Sequence, residues 1–470
     1  PGSPLGGYDH ALHQASNFLK DKEIVFQPGI NEDLAATALH GTQQTTLVDN
    51  PKHDGVFGIW FGKGPGVDRS GDALKHGNYA GSSKHGGVLA LAGDDHAAKS
   101  STTAHQSDHA FIHFGMPILN PATVQDYIDF GLMGIAMSRY SGCWIGMKCI
   151  TDTVESAASV DIGLKRFKPV LPDISDEEGD LHLQWGYMPA MSESRLYKQR
   201  LPAAQAFARA NSIDRVIFQG QKKLAIVTSG KAYLDVRQSL DELGLSEKLC
   251  SKIGISLYKV GMVWPLEPKN ISNFVNGNEE VLVVEEKRPI VEDQLMKYLY
   301  NEKDRPLIIG KKDEFGNDLV PSEGELSPSQ IALIIAKRIK GLSLNIELES
   351  KVEEIETLLA NINSAPVSDL FRLPSFCAGC PHNTSTKVPD DSFAFGGIGC
   401  HGMATFMPER KTYNLGQMGG EGVMWTGIAP FTETDHILSG GWQLKLLISY
   451  RQGTVQGRID FCTLMHSQTQ

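Results

Sequence analysis

Short apolar runs that stop at Gly or Asp recur through the first 190 residues. Asp54–Gly62 (DGVFGIWFG) and Gly86–Asp95 (GGVLALAGDD) have this form, as do Met116–Asn120 (MPILN) and CWIGMKCITD. Continuous apolar runs of this length suit strands buried on both faces of a parallel sheet. Between the last two, Val124, Tyr127, Ile128, Leu132 and Ile135 recur at helical spacing after Pro121. The alternation predicts a β-α-β series. The Gly-rich stretch Gly62–Asn78 reads as a loop. It lacks the P-loop spacing and a clean G-x-G-x-x-G between strand and helix, so it gives little support to dinucleotide binding.

Residues 160–200 are Pro-rich and acidic without a period, and read as a linker or surface excursion. A second series follows. Strands are predicted at Lys223–Gly230, Gly254–Gly261, EVLVVEEKRP and PLIIG. Helices are predicted at AYLDVRQSLDELGL, EPKNISNFVNG, Ile290–Tyr300 and SPSQIALIIAKRI, the last with Ser at its N-cap. The segment IELESKVEEIETLLANI is a charged helix. The fold class is therefore α/β, with several doubly wound parallel-sheet domains.

The chain of 470 residues has a formal net charge of −11. That charge speaks against a nucleic-acid or anionic-membrane surface as the main role. No apolar run reaches the ~18 residues of a membrane span. The opening PGSPLGGYDH has neither a basic n-region nor an apolar h-region, and reads as a fragment that begins inside a domain. Seven cysteines, an odd number in a long chain, fit a reducing, cytoplasmic setting with metal or redox use of a few of them.

Three of those cysteines stand together in FCAGCPHNTSTKVPDDSFAFGGIGCHG, Phe376–Gly402. Cys377 and Cys380 form a C-x-x-C turn that directs two thiolates to one centre, and Cys400 follows in a Gly-rich turn. Tetrahedral zinc with His382 or His401, an Fe–S cluster, and two structural cysteines plus an unrelated third all fit this pattern. Asp94, Asp95 and His96 end a predicted strand, where open α/β sheets bind ligands. They read either as metal ligands or as a capped turn opening a helix. Glu285, Glu286 and Lys287, at another strand end, read as site-lining residues or as interface or surface charges. Glu32 and Asp33 complement a helix dipole, and the Gly-rich turn in Asn414–Phe431 could hold a phosphate or serve packing.

Taken together, GSPLGGYD, FQPGINEDLAATALHGTQQ, GKGPGVDRSGD, HGGVLALAGDDHAAKSST, MSRYSGCW, YKVGMVWPLEP, LVVEEKRPIVEDQL, FCAGCPHNTSTKVP, GIGCHGM and QMGGEG resemble the long, fused indolepyruvate ferredoxin oxidoreductases. These belong to the thiamine-diphosphate-dependent 2-oxoacid:ferredoxin oxidoreductases. The resemblance runs to about Ile437. It implies an N-terminally truncated pyrimidine-binding domain at 1–195 and a transketolase-C-like domain at 200–345. A helical linker at 346–371 and the start of a pyrophosphate-binding domain at 372–438 would follow. It also implies oxidative decarboxylation of a 2-oxoacid, an arylpyruvate such as indolepyruvate, with coenzyme A as acyl acceptor and ferredoxin as electron acceptor.

By position, Glu32 matches the glutamate that hydrogen-bonds the aminopyrimidine ring, and Ser3 the hydroxyl that meets the substrate carboxylate. Asp94 and Ser100 fall near the cofactor. Cys377, Cys380 and Cys400 match ligands of a [4Fe–4S] cluster whose fourth ligand lies further on. Gly419, Gly420, Glu421 and Gly422 approach the diphosphate, which Mg2+ accompanies. An oligomer, or a downstream domain, would complete the site. The competing readings are a non-oxidative thiamine-dependent decarboxylase or transferase with structural zinc, and a non-catalytic zinc scaffold.

Residues 439–470 depart from the family pattern, since no GDGT-type turn for magnesium follows Ile437. A reading-frame slip near Leu438 is expected to account for this tail, making Cys462 accidental and the fragment inactive. Sequencing the underlying DNA tests it: a shifted frame with no family-like continuation would refute the slip.

Overall fold

Two five-stranded sheets organise most of the protein in the computed structural model, which describes residues 3–173, 181–184, 186, 189–364, 374–390, 392–418, 420, 423–432, 445–448 and 461–464. The chain divides into two units, 1–364 and 365–470.

The first sheet has the order β1(Gly58–Lys63)-β2(Val88–Asp94)-β4(Ile145–Ile150)-β3(Ile118–Leu119)-β8(Met262–Trp264). Its first four strands are parallel and β8 is antiparallel. The second sheet has the order β10(Leu307–Ile309)-β9(Glu280–Val284)-β6(Leu224–Ser229)-β7(Ile255–Val260)-β5(Arg215–Phe218). Only β5 runs antiparallel there. The α/β class with parallel sheets follows from the continuous apolar strands. Every residue of β2, β4, β6 and β7 is buried, as two helical layers require.

The helices used below are α1(Glu32–Gln43), α2(Gly64–Arg69), α3(Gly71–Ala80), α4(Asp108–Phe114), α5(Val124–Ser141), α6(Leu201–Ala210), α7(Gly230–Glu242), α8(Val291–Leu299) and α9(Pro328–Gly341). Ser327 caps α9 in a reciprocal capping box with Gln330, as its sequence predicts.

The stretch 62–78, expected to be a loop, instead forms the end of β1 and the helices α2 and α3. The cost of helical Gly, ~1 kcal/mol each relative to Ala, is offset by burial: Val67 and Leu74 are 0% exposed. Gly77 also permits close packing, since a Cβ there would lie 2.4 Å from the Trp144 ring.

The two sheets share chain elements. Strand β8 follows β7 by one residue yet pairs with β3 of the first sheet. Helix α6, which sequence alone assigns to the second domain, covers the first sheet: Ala204 and Phe207 join Phe130, Met137 and Ile145 in one apolar cluster. Arg200, fully buried just before α6, donates to the carbonyls of Leu181, Asn78, Tyr79 and Ala80.

In the second unit, β11(Ala394–Gly396) pairs in parallel with β12(Thr412–Leu415), and β13(Lys445–Ile448) pairs antiparallel with β14(Phe461–Leu464). No helix among the described residues is long and apolar enough to cross a membrane.

Candidate functional site

Helix α1 begins beside β1. Asn31 caps it by accepting from the Leu34 N–H at 2.9 Å, and Trp60 Nε1 donates to the Glu32 carbonyl at 3.0 Å. The Glu32 side chain lies over Gly66 of α2, where a Cβ would come within 2.8 Å of Glu32 Cγ. A side chain at 66 would displace this carboxyl, so the glycine is required by close approach rather than by backbone conformation.

At the end of β1, Lys63 Nζ donates to the Ser100 carbonyl at 2.6 Å and lies 3.3 Å from Ser100 Oγ. Burial pushes the Lys63 amine below its ordinary pKa, with the Asp95 charge opposing. Asp95 organises the loop by accepting from the Lys99 and Ser100 amides at 2.9 and 2.7 Å and from Ser101 Oγ at 2.9 Å. Burial raises its pKa, but the hydrogen bonds from Ser100, Ser101 and Lys99 outweigh it and hold the carboxyl low. His105 packs on Gly64 and meets Asp68 Oδ2 at 3.1 Å, a hydrogen bond that raises the imidazole pKa. Glu32, Lys63, Ser100 and His105 thus surround the start of α2.

Asp94 is 0% exposed, and its two oxygens accept from the Ser107 amide at 2.8 Å and from Ser107 Oγ at 2.5 Å. It anchors the entry to α4, while Ser100 is the exposed member of the pair expected near a cofactor. Ser3 Oγ donates to Glu155 Oε1 at 3.3 Å, and the following Pro4 and Leu5 lie against Gly93 at the end of β2.

A second constellation joins the two sheets. His96 Nδ1 lies 2.6 Å from Glu286 Oε2, and Glu286 Oε1 is 3.3 Å from Lys231 Nζ. Lys287 Nζ donates to the His96 carbonyl at 2.7 Å. Burial works against the Glu286 charge, but His96, Lys231 and the Leu326 amide outweigh it and hold its pKa at about 2. Neighbouring Glu285 is pushed the other way by burial, to about 7, against the amides of Val291, Glu292 and Ile290 at the start of α8. Asp94, Asp95 and His96 therefore serve three separate structural contacts. Among the described residues, no group of three or more His, Cys, Asp or Glu side chains is arranged to hold a metal ion.

In the second unit, the Cys380 amide donates to the Cys377 carbonyl at 3.0 Å, and Asn383 Nδ2 donates to the same carbonyl at 3.0 Å. Gly379 takes φ of +76°, which closes this turn. Cys377 and Cys400 are exposed, and Cys380 is partly so. Cys380 Sγ lies 3.2 Å from His382 Nδ1. The rings of His382 and His401 meet at 5.9 Å, bringing the C-x-x-C turn beside the segment that carries Cys400. The three thiols are accessible and lie on adjoining segments, but they are not gathered into one ligand set. Cys143, Cys149 and Cys250 are buried, and burial raises all three pKa values. They suit packing rather than ligation.

Residues 214–366 match the indolepyruvate oxidoreductase domain. Over 98% of its length the chain is 22% identical to the indolepyruvate oxidoreductase subunit IorA of Methanothermobacter thermautotrophicus, covering 66% of that protein. It is 23% identical over 87% of its length to the IorA subunit of Archaeoglobus fulgidus, covering 61% of it.

The chain is similar to indolepyruvate oxidoreductase subunits over most of its length.

It spans between 28% and 66% of the length of the curated relatives it matches. The fold is shared with the 2-oxoglutarate:ferredoxin oxidoreductase of Magnetococcus marinus, solved with 2-oxoglutarate, coenzyme A and succinyl-CoA bound. The TM-score is 0.50 at 13% identity, over 72% of this chain and 61% of that one.

Within this chain, the structure gathers Glu32 and Ser100 around α2, with Ser3 at the end of β2. Gly420 lies in a turn whose amide donates to the Gln417 carbonyl at 3.0 Å. Gly419, Glu421 and Gly422 lie outside the described residues. Sequence reasoning missed Lys63 and His105. The available signal was a Lys at a strand's C-terminal end immediately before Gly-x-Gly.

Proposed function

We propose that this protein belongs to a thiamine-diphosphate-dependent 2-oxoacid:ferredoxin oxidoreductase acting on an arylpyruvate such as indolepyruvate. One 2-oxoacid, one coenzyme A and two oxidised ferredoxins would yield acyl-CoA, CO2, two reduced ferredoxins and a proton. The observation that carries this reading is the Glu32 carboxyl held over Gly66 beside Lys63 and Ser100, in a chain similar to IorA subunits over most of its length. Bound thiamine diphosphate supplies the acidic thiazolium carbon that adds to the 2-oxoacid carbonyl.

In this reading Glu32 would hold the aminopyrimidine through its carboxyl and would supply a proton donor and acceptor there. Ser3 offers its hydroxyl to the substrate carboxylate. Asp95 and Lys63 hold the Ser100 loop in place. Gly419, Gly420, Glu421 and Gly422 would lie along the diphosphate, which Mg2+ would accompany. Cys377, Cys380 and Cys400 would supply three ligands of a [4Fe–4S] cluster, which passes electrons singly. The working form is a cytoplasmic oligomer, or an assembly with a further domain, that completes the cofactor site.

The Cys380–His382 contact supports a second reading, a structural zinc site. Anaerobic purification of the full gene product, iron and zinc analysis, and 2-oxoacid-dependent dye reduction with and without thiamine diphosphate separate the two. Iron with thiamine-dependent reduction is the expected result. Zinc without any dye reduction would replace the oxidoreductase reading.

A further inference from the structure

The residues that follow β9 reach across to the loop between β2 and α4. Glu286 meets the His96 ring, and Lys287 Nζ donates to the His96 carbonyl at 2.7 Å. The Arg288 amide and Nε donate to Gln106 Oε1 at 3.1 and 3.2 Å, and Gln106 Nε2 donates to the Arg288 carbonyl at 3.0 Å. Three successive residues thus hold both ends of a loop in which Ser100 is exposed.

Lys287 is the unusual member. Its backbone φ is +62°, in the left-handed region that strains any residue with a side chain. The residue is only 9% exposed. Among the described residues its ammonium meets the carbonyls of His96 and, at 3.4 Å, Gly324, with no carboxylate in ion-pair range. A buried cation without a counter-charge opposes stability, as the strain does. Glycine would fit this backbone without strain. What lysine adds here is its reach to the His96 carbonyl.

That carbonyl stands at the start of the turn that carries Ser100. The amides of Ala98, Lys99, Ser100 and His105 all donate to Asp95, and the Ser100 carbonyl accepts from Lys63 of β1. The turn is therefore anchored by Lys63 from the first sheet and by Lys287 from the second.

We propose that Lys287 is a positioning residue: held on the His96 carbonyl, it fixes the turn that presents Ser100 beside α2, so the second sheet sets the shape of the candidate cofactor site. This rests on the reading that Ser100 lies near the cofactor. A turn ordered only part of the time weakens apparent affinity by that fraction, and leaves the saturated rate alone.

The test is hydrogen exchange on the whole chain without cofactor, with thiamine diphosphate titration of dye reduction in the full gene product. Lys287→Met keeps the stem and removes the ammonium. Peptides covering 95–106 should exchange roughly tenfold faster, while β9 and α8 exchange as in wild type. Half-saturating thiamine diphosphate should rise at least about tenfold, with kcat within about twofold. Lys287→Gly removes ammonium and strain together, and should give the same shifts with a melting temperature no lower than that of Lys287→Met. Unchanged exchange in 95–106, or exchange that rises equally in β9 and α8, overturns the proposal, as does a fallen kcat at unchanged half-saturation. If the wild type shows no thiamine-dependent reduction, the cofactor reading fails, and the exchange result alone decides whether Lys287 sets the turn. If Lys287→Met does not fold, Lys287→Gly decides.

Discussion

His96 Nδ1 and Glu286 Oε2 lie 2.6 Å apart across 190 residues of chain, joining the loop after β2 to the end of β9. Both side chains are buried, 4% and 6% exposed, so the pair is shielded from solvent screening. Removing the Glu286 carboxylate takes one partner from the Lys231 ammonium and the acceptor from the buried His96 ring, at a cost of ~3–5 kcal/mol.

Glu286→Gln should therefore destabilise unit 1–364 by roughly that amount at pH 7, read by urea unfolding. The sign with pH follows from a depressed carboxyl. Its stabilisation is complete above the unfolded carboxyl's pKa and disappears as pH falls through about 2. The gap between wild type and variant should narrow steadily from pH 5 to pH 2. A gap that stays constant across that range would rule out the Glu286 charge as its source.

Asp214 gives the opposite sign. Its carboxyl is fully buried and accepts from the Gly261 and Met262 amides at 2.8 and 3.1 Å, where β7 passes into β8. Burial dominates those hydrogen bonds and pushes its pKa up to about 7. The folded state thus holds a proton that the unfolded chain releases, so stability contributed below an ordinary carboxyl pKa is lost as pH rises towards 7. Asp214→Asn keeps one acceptor for the two amides and removes the titration. Thermal melts of the variant should be flatter between pH 4 and pH 7 than those of wild type; parallel curves would contradict the assignment.

Gly66 and Gly77 separate function from packing. Gly66→Ala should push the Glu32 side chain aside, because the new Cβ would sit 2.8 Å from Glu32 Cγ, a movable group. Activity should fall at least tenfold, as in Glu32→Gln, with a change in melting temperature of only a few degrees. Gly77→Ala meets the fully buried Trp144 ring at 2.4 Å and should cost stability, about 1–3 kcal/mol, by overpacking. The outcome against the site would be full activity in Gly66→Ala.

Cys380→Ala and Cys400→Ser should each lower bound iron and bleach the visible absorbance of anaerobic protein. The same change at buried Cys250 should leave both signals intact. Equal iron content in all three variants would place the metal elsewhere.

Much of this protein was legible along the chain. Buried strands such as Val88–Asp94 and Leu224–Ser229 announce themselves because a parallel strand covered on both faces needs an unbroken apolar run. The cap of α9 is local chemistry, three residues from Ser327 to Gln330. The stretch 62–78 misled because its glycines read as loop residues, whereas packing against Glu32, His105 and Trp144 makes small residues the ones that fit helices there.

The sequence by itself determined the α/β class, the strand ends where chemistry collects, and the three thiols on two turns. It could not pair His96 with Glu286, send β8 into the first sheet, or seat Glu32 on Gly66. Those contacts join residues far apart in the chain, and no local propensity encodes them. They form only when burial of the apolar strands fixes which loops meet. The low-dielectric space so created moves Glu285 and Asp214 up to about 7, while His96, Lys231 and the Leu326 amide hold Glu286 at about 2 against it.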